Sequence, residues 1–437
     1  MVGAGGAGFP TYVKAQAEVE YLLVNGAECE PLLHKDRCVM LEFGAPLLEG
    51  IRLLAAATGA REVVVGIKKK NEDVRQSLAE LSARTAGLPS LRFLALGDFY
   101  PSGDEYELVY EATGRLIPPA GLPLHVGCVV ANVETLVNVA RAEQGQAVTA
   151  KTLTVTGAVA QPGTFTLPLG IALRDVIALA GGPTCSPHGI LLGGIMMGAY
   201  ETDLDRPITR TTNAVIVLPT DHELVRRYAP PRAQMHRIGK SACDQCSYCT
   251  ELCPRYLLGY DVEPHKVMRT LGFVSTGKEL WNLKGQLCCE CGVCTLIACP
   301  EALFPREACQ QAKQDLRAAG IRWQPPGGRP AEVRPHPMHR GRRLPISRIM
   351  QRLDLHRFDQ PAPYRAVDTG HVRLFRIRFQ QHAGAPAAPV VKPGDRVAAG
   401  QVIGRPPPDK LGVPIHASVA GIVRAVEAEA ILIERNP

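Results

Sequence analysis

The sequence has no run of about 18 uncharged apolar residues, which excludes an ordinary transmembrane helix. The first residues lack a basic n-region, an apolar h-region and a cleavage site, so we expect a cytoplasmic rather than a secreted protein. No recognisable nucleic-acid-binding module is present, and we expect no nucleic-acid partner. In a reducing compartment, clustered cysteines bind metal more often than they form disulfides.

Composition predicts a multidomain globular protein. A chain of 437 residues with 46% hydrophobic residues is too long for one ordinary core, so two to four domains are expected. The net charge of +7 is modest, and much of the excess lies in the Arg/Pro/Gly stretch 325–345. That stretch is typical of a solvated linker; docking on an acidic partner is the alternative.

The apolar patterns divide the chain into four parts. Residues 1–145 alternate strand-like runs (19–25, 61–68, 91–97) with helical patterns (41–60, 71–85), which predicts a parallel sheet covered by helices. From residue 151 to about 218, short β-rich runs and one amphipathic helix predict a compact α+β unit. Residues 235–323 combine helical patterns with most of the cysteines, and residues 367–437 read as a small β-sandwich.

Nine of the 14 cysteines lie in two motifs, C-x2-C-x2-C-x3-C-P and C-x2-C-x2-C-x4-C-P. Three cysteines at this spacing bind three corners of a cubane 4Fe-4S cluster, and the fourth, before proline, ligates the other cluster. We therefore predict two clusters. The ligands of the first are Cys243, Cys246, Cys249 and Cys299, and those of the second are Cys253, Cys288, Cys291 and Cys294.

Three features of these motifs leave alternatives open. Zinc knuckles are the competing metal site, but they normally use two cysteine pairs separated by a dozen or more residues. Four residues separate Cys294 from Cys299, one more than the usual three, so the chain must accommodate an extra residue there. Cys289 could also replace Cys288 as a ligand. The remaining cysteines are expected to be ordinary buried thiols: Cys29, Cys38, Cys128, Cys185 and Cys309.

A glycine loop opens the chain. Gly3, Gly5 and Gly8 match G-x-G-x-x-G, yet a dinucleotide fingerprint should follow a strand and only two residues precede this one. Either it is another kind of phosphate loop or the true start lies upstream. Lys14 adds a positive charge, and "NGAECEP" follows the first predicted strand, where α/β sheets bind ligands.

These segments resemble known families. "GAGGAGFPTYVK", "NGAECEP" and "NVETLVNV" resemble the FMN- and NADH-binding signatures of the complex I flavin subunit and of RnfC proteins. "GAVAQPGTFTLPLGIALRDVIALAGG" resembles an SLBB β-grasp domain, and the tail resembles the RnfC barrel-sandwich hybrid, although its "ASVAGIV" turn has no lysine to modify. The domain order and "CCECGVC" are similar to the PduS-type cobalamin reductases of propanediol-utilisation microcompartments.

The resemblance implies the fold class, which is multidomain α/β and α+β. It consists of a Rossmann-like FMN/NADH domain (1–148), an SLBB β-grasp domain (149–220), a helical two-cluster ferredoxin-like domain (235–323), a basic linker (324–345) and a barrel-sandwich hybrid (363–437). It also implies a phosphate site at Gly3, Gly5, Gly6, Gly8 and Lys14. Flavin and nicotinamide would contact Asn25, Glu28, Glu30, Asn132, Glu134 and Thr135, beside the loop 100–105.

The implied activity is an NADH-dependent oxidoreductase in which no side chain does chemistry beyond the cofactors. Electrons would pass from NADH to FMN, to the first and then the second cluster, and on to cobalamin. The implied partners are a cobalamin adenosyltransferase and a microcompartment shell protein, and the implied location is a bacterial microcompartment. The alternatives are an RnfC-like NADH:ferredoxin subunit and a non-enzymatic electron-carrier or docking subunit.

Overall fold

The computed structural model describes residues 1–273, 278–324 and 332–436. The elements of its first domain are α1 Thr11–Ala15, β1 Tyr21–Gly26, α2 Lys35–Glu42, α3 Gly44–Thr58, β2 Glu62–Lys68, α4 Glu72–Ala83, β3 Leu91–Leu96, β4 Phe99–Tyr100, α5 Glu105–Thr113, β5 Cys128–Asn132 and α6 Val133–Glu143. The parallel sheet has the strand order β3-β2-β1-β5. Strand β2 is buried at six of its seven positions, because helices cover both faces of a parallel sheet.

The second domain is a mixed sheet with a helix packed on it. Its elements are β6 Ala150–Gly157, β7 Gly163–Pro168, α7 Leu173–Leu179, β8 His188–Leu192, β9 Ala199–Glu201 and β10 Ala214–Pro219. The strand order is β7-β6-β10-β8-β9, with β6 and β10 parallel and the other neighbours antiparallel. Apolar residues of β10 and α7 form the centre of its core.

The cysteine region follows as a set of short helices: α8 Glu223–Tyr228, α9 Arg232–Ala242, α10 Tyr248–Glu251, α11 Pro254–Leu257, α12 Pro264–Thr270, α13 Lys278–Asn282 and α14 Pro305–Ala318. A π-helical turn, Cys294–Ala298, lies between the last two. In the part of the chain that the structure describes, no helix combines the length and apolar character needed to cross a bilayer.

The chain ends in a small β domain. Its elements, with the segment that leads into it, are β11 Leu344–Pro345, α15 Ile346–Arg352, β12 Leu374–Arg378, β13 Ala388–Pro389, β14 Arg396–Val397, β15 Val402–Arg405, β16 Ile415–His416, β17 Gly421–Val426 and β18 Ala430–Arg435. Two antiparallel sheets, β12-β18-β17-β14 and β13-β15-β16, bury their apolar side chains. This is the predicted sandwich.

The described part of the predicted basic linker is solvated along most of its length, but some of its side chains pair with the first domain. Residues 325–331 lie outside the described residues, and of residues 332–345 only His339 is buried. The His339 Nε2 lies 3.0 Å from the Glu107 carboxylate, and Arg343 pairs with the same carboxylate at 2.6 Å. Strand β11 pairs with β4. Part of the basic charge is thus directed to acidic side chains of α5, while the remainder, such as Arg334, stays exposed.

Candidate functional site

The glycine loop forms a closed turn in front of α1. At its base the Gly3 N–H donates to the Phe9 carbonyl at 2.8 Å. Gly5 and Gly6 are exposed, and a Cβ on Gly5 would lie 3.2 Å from the Asn132 Cβ. The loop therefore presents backbone N–H groups that no side chain of its own covers, as an anion-binding loop requires.

Three other parts of the molecule hold this loop in place. The Ala4 N–H donates to Thr135 Oγ1 of α6 at 2.8 Å. Lys151 of β6 donates to the Ala4 carbonyl at 3.0 Å, and the Ala383 N–H of the last domain donates to the Gly8 carbonyl at 3.0 Å. The predicted ligand residue Thr135 is therefore bonded to the loop itself.

The ends of β1 and β5 bring Asn25 and Asn132 side by side, as partners in the strand register. Asn132 caps α6 by accepting from the Glu134 N–H at 3.1 Å, and its Nδ2 donates to Asp36 at 2.9 Å. Asn25 Nδ2 donates to the Gly103 carbonyl at 2.9 Å. The two amides thus connect the carboxyl edge of the sheet to α2 and to the loop 100–105.

The Glu134 carboxylate is buried between two lysines. Lys35 donates to it at 2.9 Å, Lys151 pairs with it, and the Thr152 N–H donates to it at 2.9 Å. Although burial opposes ionisation, Lys151 and Lys35 hold the pKa of Glu134 below its usual value.

The pKa values of Lys151 and Lys35 shift in opposite directions. Burial lowers the pKa of Lys151 to about 8, and Glu134 limits that shift. Burial would also lower the pKa of Lys35, but Asp36 and Glu134 together raise it. The difference arises because Lys35 contacts two carboxylates, with Asp36 Oδ1 at 2.8 Å, while Lys151 shares one.

Lys14 lies on α1 at the same edge of the sheet. Its ammonium donates to the Val130 carbonyl at 2.8 Å and lies near the Phe9 ring. Burial lowers the pKa of Lys14, and nearby Glu105 opposes that shift. Burial in turn raises the pKa of Glu105. The structure therefore places an ammonium and a carboxyl group of the loop 100–105 close together beside the glycine loop.

Glu28 and Glu30 point to different parts of the protein. Glu28 accepts from the Asp36 N–H at 2.9 Å, and burial together with the Asp36 charge raises the pKa of Glu28 to about 7. Glu30 accepts from the N–H groups of Met196 and Met197 at 2.8 and 2.9 Å. Both Glu30 oxygens are engaged in the second domain, which does not favour the predicted contact with a nucleotide at the glycine loop.

The four thiols assigned to the first cluster line one cavity, of about 310 Å³ including space open to solvent. Cys243, Cys246 and Cys249 come from the first motif and Cys299 from the second. Cys246 is exposed, while Cys249 is buried. The chain therefore brings together residues more than 45 positions apart, as the spacing predicts.

A π-helical turn explains the extra residue before Cys299. Residues Cys294–Ala298 form this turn, and a π turn closes one residue later than an α turn. Cys299 follows in an extended conformation and reaches the first cavity. The additional residue is thus absorbed in the helix, and Cys299 still lies with the cysteines of the other motif.

The thiols assigned to the second cluster are neighbours in a buried pocket. Cys253, Cys288, Cys291 and Cys294 are each less than a tenth exposed, and their thiols lie close enough to influence one another electrostatically.

Two further thiols lie at this group. The Cys309 thiol lies near Cys288, and the Cys289 thiol lies near Cys291. Cys288 and Cys289 both lie near Cys253, and Cys288 also lies near Cys294, so Cys288 remains our predicted ligand. Cys38, Cys128 and Cys309 are buried as expected, whereas Cys29 and Cys185 are only half-buried.

The loop 100–105 connects the sheet edge to the second cysteine group. The Tyr100 hydroxyl donates to the Cys291 carbonyl at 2.8 Å. Asp104 pairs with Arg255, two residues after Cys253, at 2.8 Å. The same loop bonds Asn25 through Gly103. A single segment therefore touches both candidate cofactor sites.

Sequence reasoning did not single out Lys151 or Arg255. Lys151 opens a β-rich run, and a lysine buried at the start of a strand is a signal only once its carboxylate partner is known. Arg255 follows the Cys-Pro pair of the first motif, where its charge could have been noted. Its partner lies 151 positions earlier, and no local pattern relates the two.

Comparison with protein families confirms the predicted fold class. The chain matches the Nuo51 FMN-binding domain over residues 1–141, the SLBB domain over 152–199, the 4Fe-4S dicluster domain over 242–304 and the RnfC barrel sandwich hybrid domain over 370–435. The chain is thus a flavin and iron–sulfur electron-transfer protein, and the match over 242–304 favours iron–sulfur over zinc.

Known proteins resemble the chain along its whole length. Cobalamin reductase PduS of Salmonella typhimurium (strain LT2) is 42% identical and that of Citrobacter freundii 40% identical; each alignment covers 100% of this chain and 94% of the relative. Among solved structures, the NAD+-reducing NiFe hydrogenase in its H2-reduced state gives a TM-score of 0.48 at 22% identity, covering 74% of this chain and 61% of that one. On the strength of the full-length relatives, the chain belongs to the PduS family of cobalamin reductases.

Proposed function

We propose that this oxidoreductase takes electrons from NADH through FMN and two 4Fe-4S clusters and delivers them to cobalamin. The matches to the FMN-binding and 4Fe-4S dicluster families support the cofactors, and the names of the full-length relatives support the acceptor. When bound, FMN exchanges electron pairs with a nicotinamide and single electrons with clusters, while the protein supplies binding and positioning.

The residues at the sheet edge fit a flavin phosphate. The exposed backbone of Gly5 and Gly6 and the ammonium of Lys14 would hold it, with Asn25 at the ring side. A Cβ on Gly5 would occupy the space in front of Asn132. By contrast, Glu134 and Thr135 are bonded to the protein, and we propose that they position the glycine loop rather than contact the ligand.

The contacts of the loop 100–105 carry the proposal and reverse the electron order expected from the sequence. This loop bonds Asn25 at the flavin edge and the Cys291 carbonyl of the second group. The first group instead has an exposed thiol at Cys246. We therefore place the second group next to the flavin and the first group next to the external acceptor.

The test is a reduction assay under anaerobic conditions. The protein is reconstituted with iron, sulfide and FMN, and NADH is added while hydroxocobalamin is followed by absorbance. We expect NADH-dependent growth of the cob(II)alamin band. It should be abolished by Lys14→Ala and Cys246→Ala, and retained by Lys70→Ala and Cys185→Ala, which change an exposed lysine and a half-buried thiol elsewhere.

Each other outcome selects a different function. NADH-bleached flavin and clusters with unchanged cobalamin would move the proposal to a ferredoxin acceptor, as the RnfC-like domain suggests. A chain that binds no FMN would be a carrier or docking subunit. Rapid-freeze EPR tests the proposed order of electron transfer. If the second group accepts electrons first, NADH should still reduce it in Cys246→Ala.

Reduced cobalamin is the substrate of an adenosyltransferase, so we propose that enzyme as a partner, within a microcompartment whose shell protein is a second partner. The names of the full-length relatives support this setting. Co-purification of a tagged chain with intact microcompartments would test it, and recovery only in the shell-free fraction would contradict it.

A further inference from the structure

Arg255 occupies an unusual place between the two candidate cofactor sites. Its side chain is 9% exposed and lies two residues after Cys253. It pairs with Asp104, whose side chain is 16% exposed, at 2.8 Å. The Cys289 thiol lies beside the same guanidinium. A fixed positive charge is therefore buried at the edge of the second cysteine group that faces the loop 100–105.

Two tyrosines hold the guanidinium in this position. Its central carbon lies 3.4 Å from the centre of the Tyr106 ring and 6.0 Å from that of Tyr260. The two rings contact each other edge to face, and their hydroxyls donate to backbone carbonyls. The guanidinium of Arg255 is thus held by packing as well as by Asp104. Among the described residues, the Nε of Arg255 has no hydrogen-bond partner.

A positive charge here has a defined effect on a cluster. A cubane with four thiolates is an anion whose charge becomes more negative on reduction, so a nearby cation favours the reduced form. Cluster potentials respond to net charge, hydrogen bonds to sulfur and exposure to solvent. The second group is buried, so solvent screens the charge of Arg255 weakly.

We propose that Arg255 is a positioning residue that raises the reduction potential of the cluster held by Cys253, Cys288, Cys291 and Cys294, and that its pairing with Asp104 fixes that cluster against the loop 100–105. The inference rests on the proposed function, because it requires a cluster at the second group. It identifies a residue that adjusts the reduction potential of the cluster proposed to lie next to the flavin.

The experiment is a redox titration of the reconstituted full chain followed by EPR. A Cys246→Ser chain assigns the signals, since it should lose the first cluster only. In Arg255→Gln we expect the second cluster to be harder to reduce: at a fixed poise its reduced-to-oxidised ratio should fall about tenfold, which is ~59 mV for a one-electron couple. Arg255→Lys keeps the charge and should stay within about threefold of the wild type.

Two comparisons separate this effect from structural damage. Arg115→Gln removes a partly exposed arginine paired with Glu20 in the first domain, and should leave both clusters unchanged. Asp104→Asn keeps an oxygen that can cap α5 but removes the negative charge, so the second cluster should become easier to reduce.

The outcomes distinguish the two proposals. A wild-type chain with no second cluster would overturn the proposed function. An intact second cluster with the same potential in Arg255→Gln and Asp104→Asn would overturn only the role of Arg255. Loss of the second cluster in both variants, with the first retained, would also overturn it, because the pair would then be purely structural.

Discussion

At the scale of single residues, Glu134 connects the glycine loop to the second domain. It accepts from Lys35 and pairs with Lys151, and Lys151 also donates to the Ala4 carbonyl. Removing one partner of a buried ion pair leaves the other charge without a counter-charge, which lowers the stability of the folded protein. The position of the loop backbone therefore depends on a charge balance outside the loop.

Glu134→Gln tests that balance. The amide keeps the volume but leaves Lys151 without a counter-charge, so we expect the first domain to lose about 3–5 kcal/mol of stability. Urea unfolding followed by circular dichroism measures the midpoint, and FMN titration should show weaker binding. Glu72→Gln breaks an exposed pair on α4 and should change neither quantity. Equal midpoints for Glu134→Gln and the wild type would contradict the prediction.

The raised pKa of Glu30 predicts how the stability of the folded protein depends on pH. Burial is the main cause that raises the pKa of Glu30 from 4.5 to about 7, so its neutral form is favoured in the folded protein. The stability that this provides is complete below pH 4.5 and is lost as the pH rises through 7, in total about 3 kcal/mol.

Glu30→Gln removes this titration. Its thermal midpoint should therefore fall less than that of the wild type between pH 5 and 8, as measured by differential scanning calorimetry. Glu18→Gln, at an exposed position, should follow the wild-type curve. A Glu30→Gln curve parallel to the wild type would show that the carboxyl does not titrate in this range.

At the scale of elements, the contact between α3 and α6 determines where the site residues lie. Asn132 caps α6, and Glu134 and Thr135 occupy its first turn. Gly50 of α3 faces α6, and a Cβ there would lie 1.9 Å from the Leu136 carbonyl oxygen. The two helices can approach this closely only because position 50 has no side chain.

Gly50→Ala should therefore move α6 away from α3. We expect a loss of about 1–3 kcal/mol from overpacking, together with weaker FMN binding as the α6 residues shift. Ala57→Ser changes an exposed position on the same helix and serves as the control. The two effects should appear together; destabilisation with wild-type FMN affinity would show that α6 does not position the loop.

At the scale of the whole molecule, three domains meet at the glycine loop. Gly8 has φ +63°, and a Cβ there would lie 2.9 Å from Thr211 Cγ2 of the second domain and 3.0 Å from His382 Cα of the last domain. The Ala383 N–H bonds the Gly8 carbonyl. The candidate flavin site is thus enclosed by residues that lie hundreds of positions apart.

Gly8→Ala should disturb this junction without affecting the clusters. Backbone strain and two close contacts should lower FMN affinity at least about tenfold, measured by quenching of flavin fluorescence, with iron content unchanged. Gly114→Ala has a similar φ of +73° with open space around it, and provides the matched control. Equal FMN affinity in Gly8→Ala and Gly114→Ala would contradict a role of the domain junction.

Local patterns predicted much of this architecture. The strands expected at 19–25, 61–68 and 91–97 are Tyr21–Gly26, Glu62–Lys68 and Leu91–Leu96, because apolar runs between turns have few other ways to be buried. The helix expected at 71–85 is Glu72–Ala83, with Asn71 at its N-cap. The cysteine spacing predicts two ligand sets, which stay predictions, and the thiols assigned to the first set line one cavity.

The sequence by itself determined the domain types, the cysteine groups and the glycine loop, because each is encoded within a few tens of residues. Only the tertiary structure decided which cysteine group the loop 100–105 contacts, that Glu30 turns to the second domain, and that Arg343 pairs with Glu107 of α5. It also paired Arg255 with Asp104. Such pairings depend on how separate domains pack, and no local periodicity records the contacts between residues far apart in the chain.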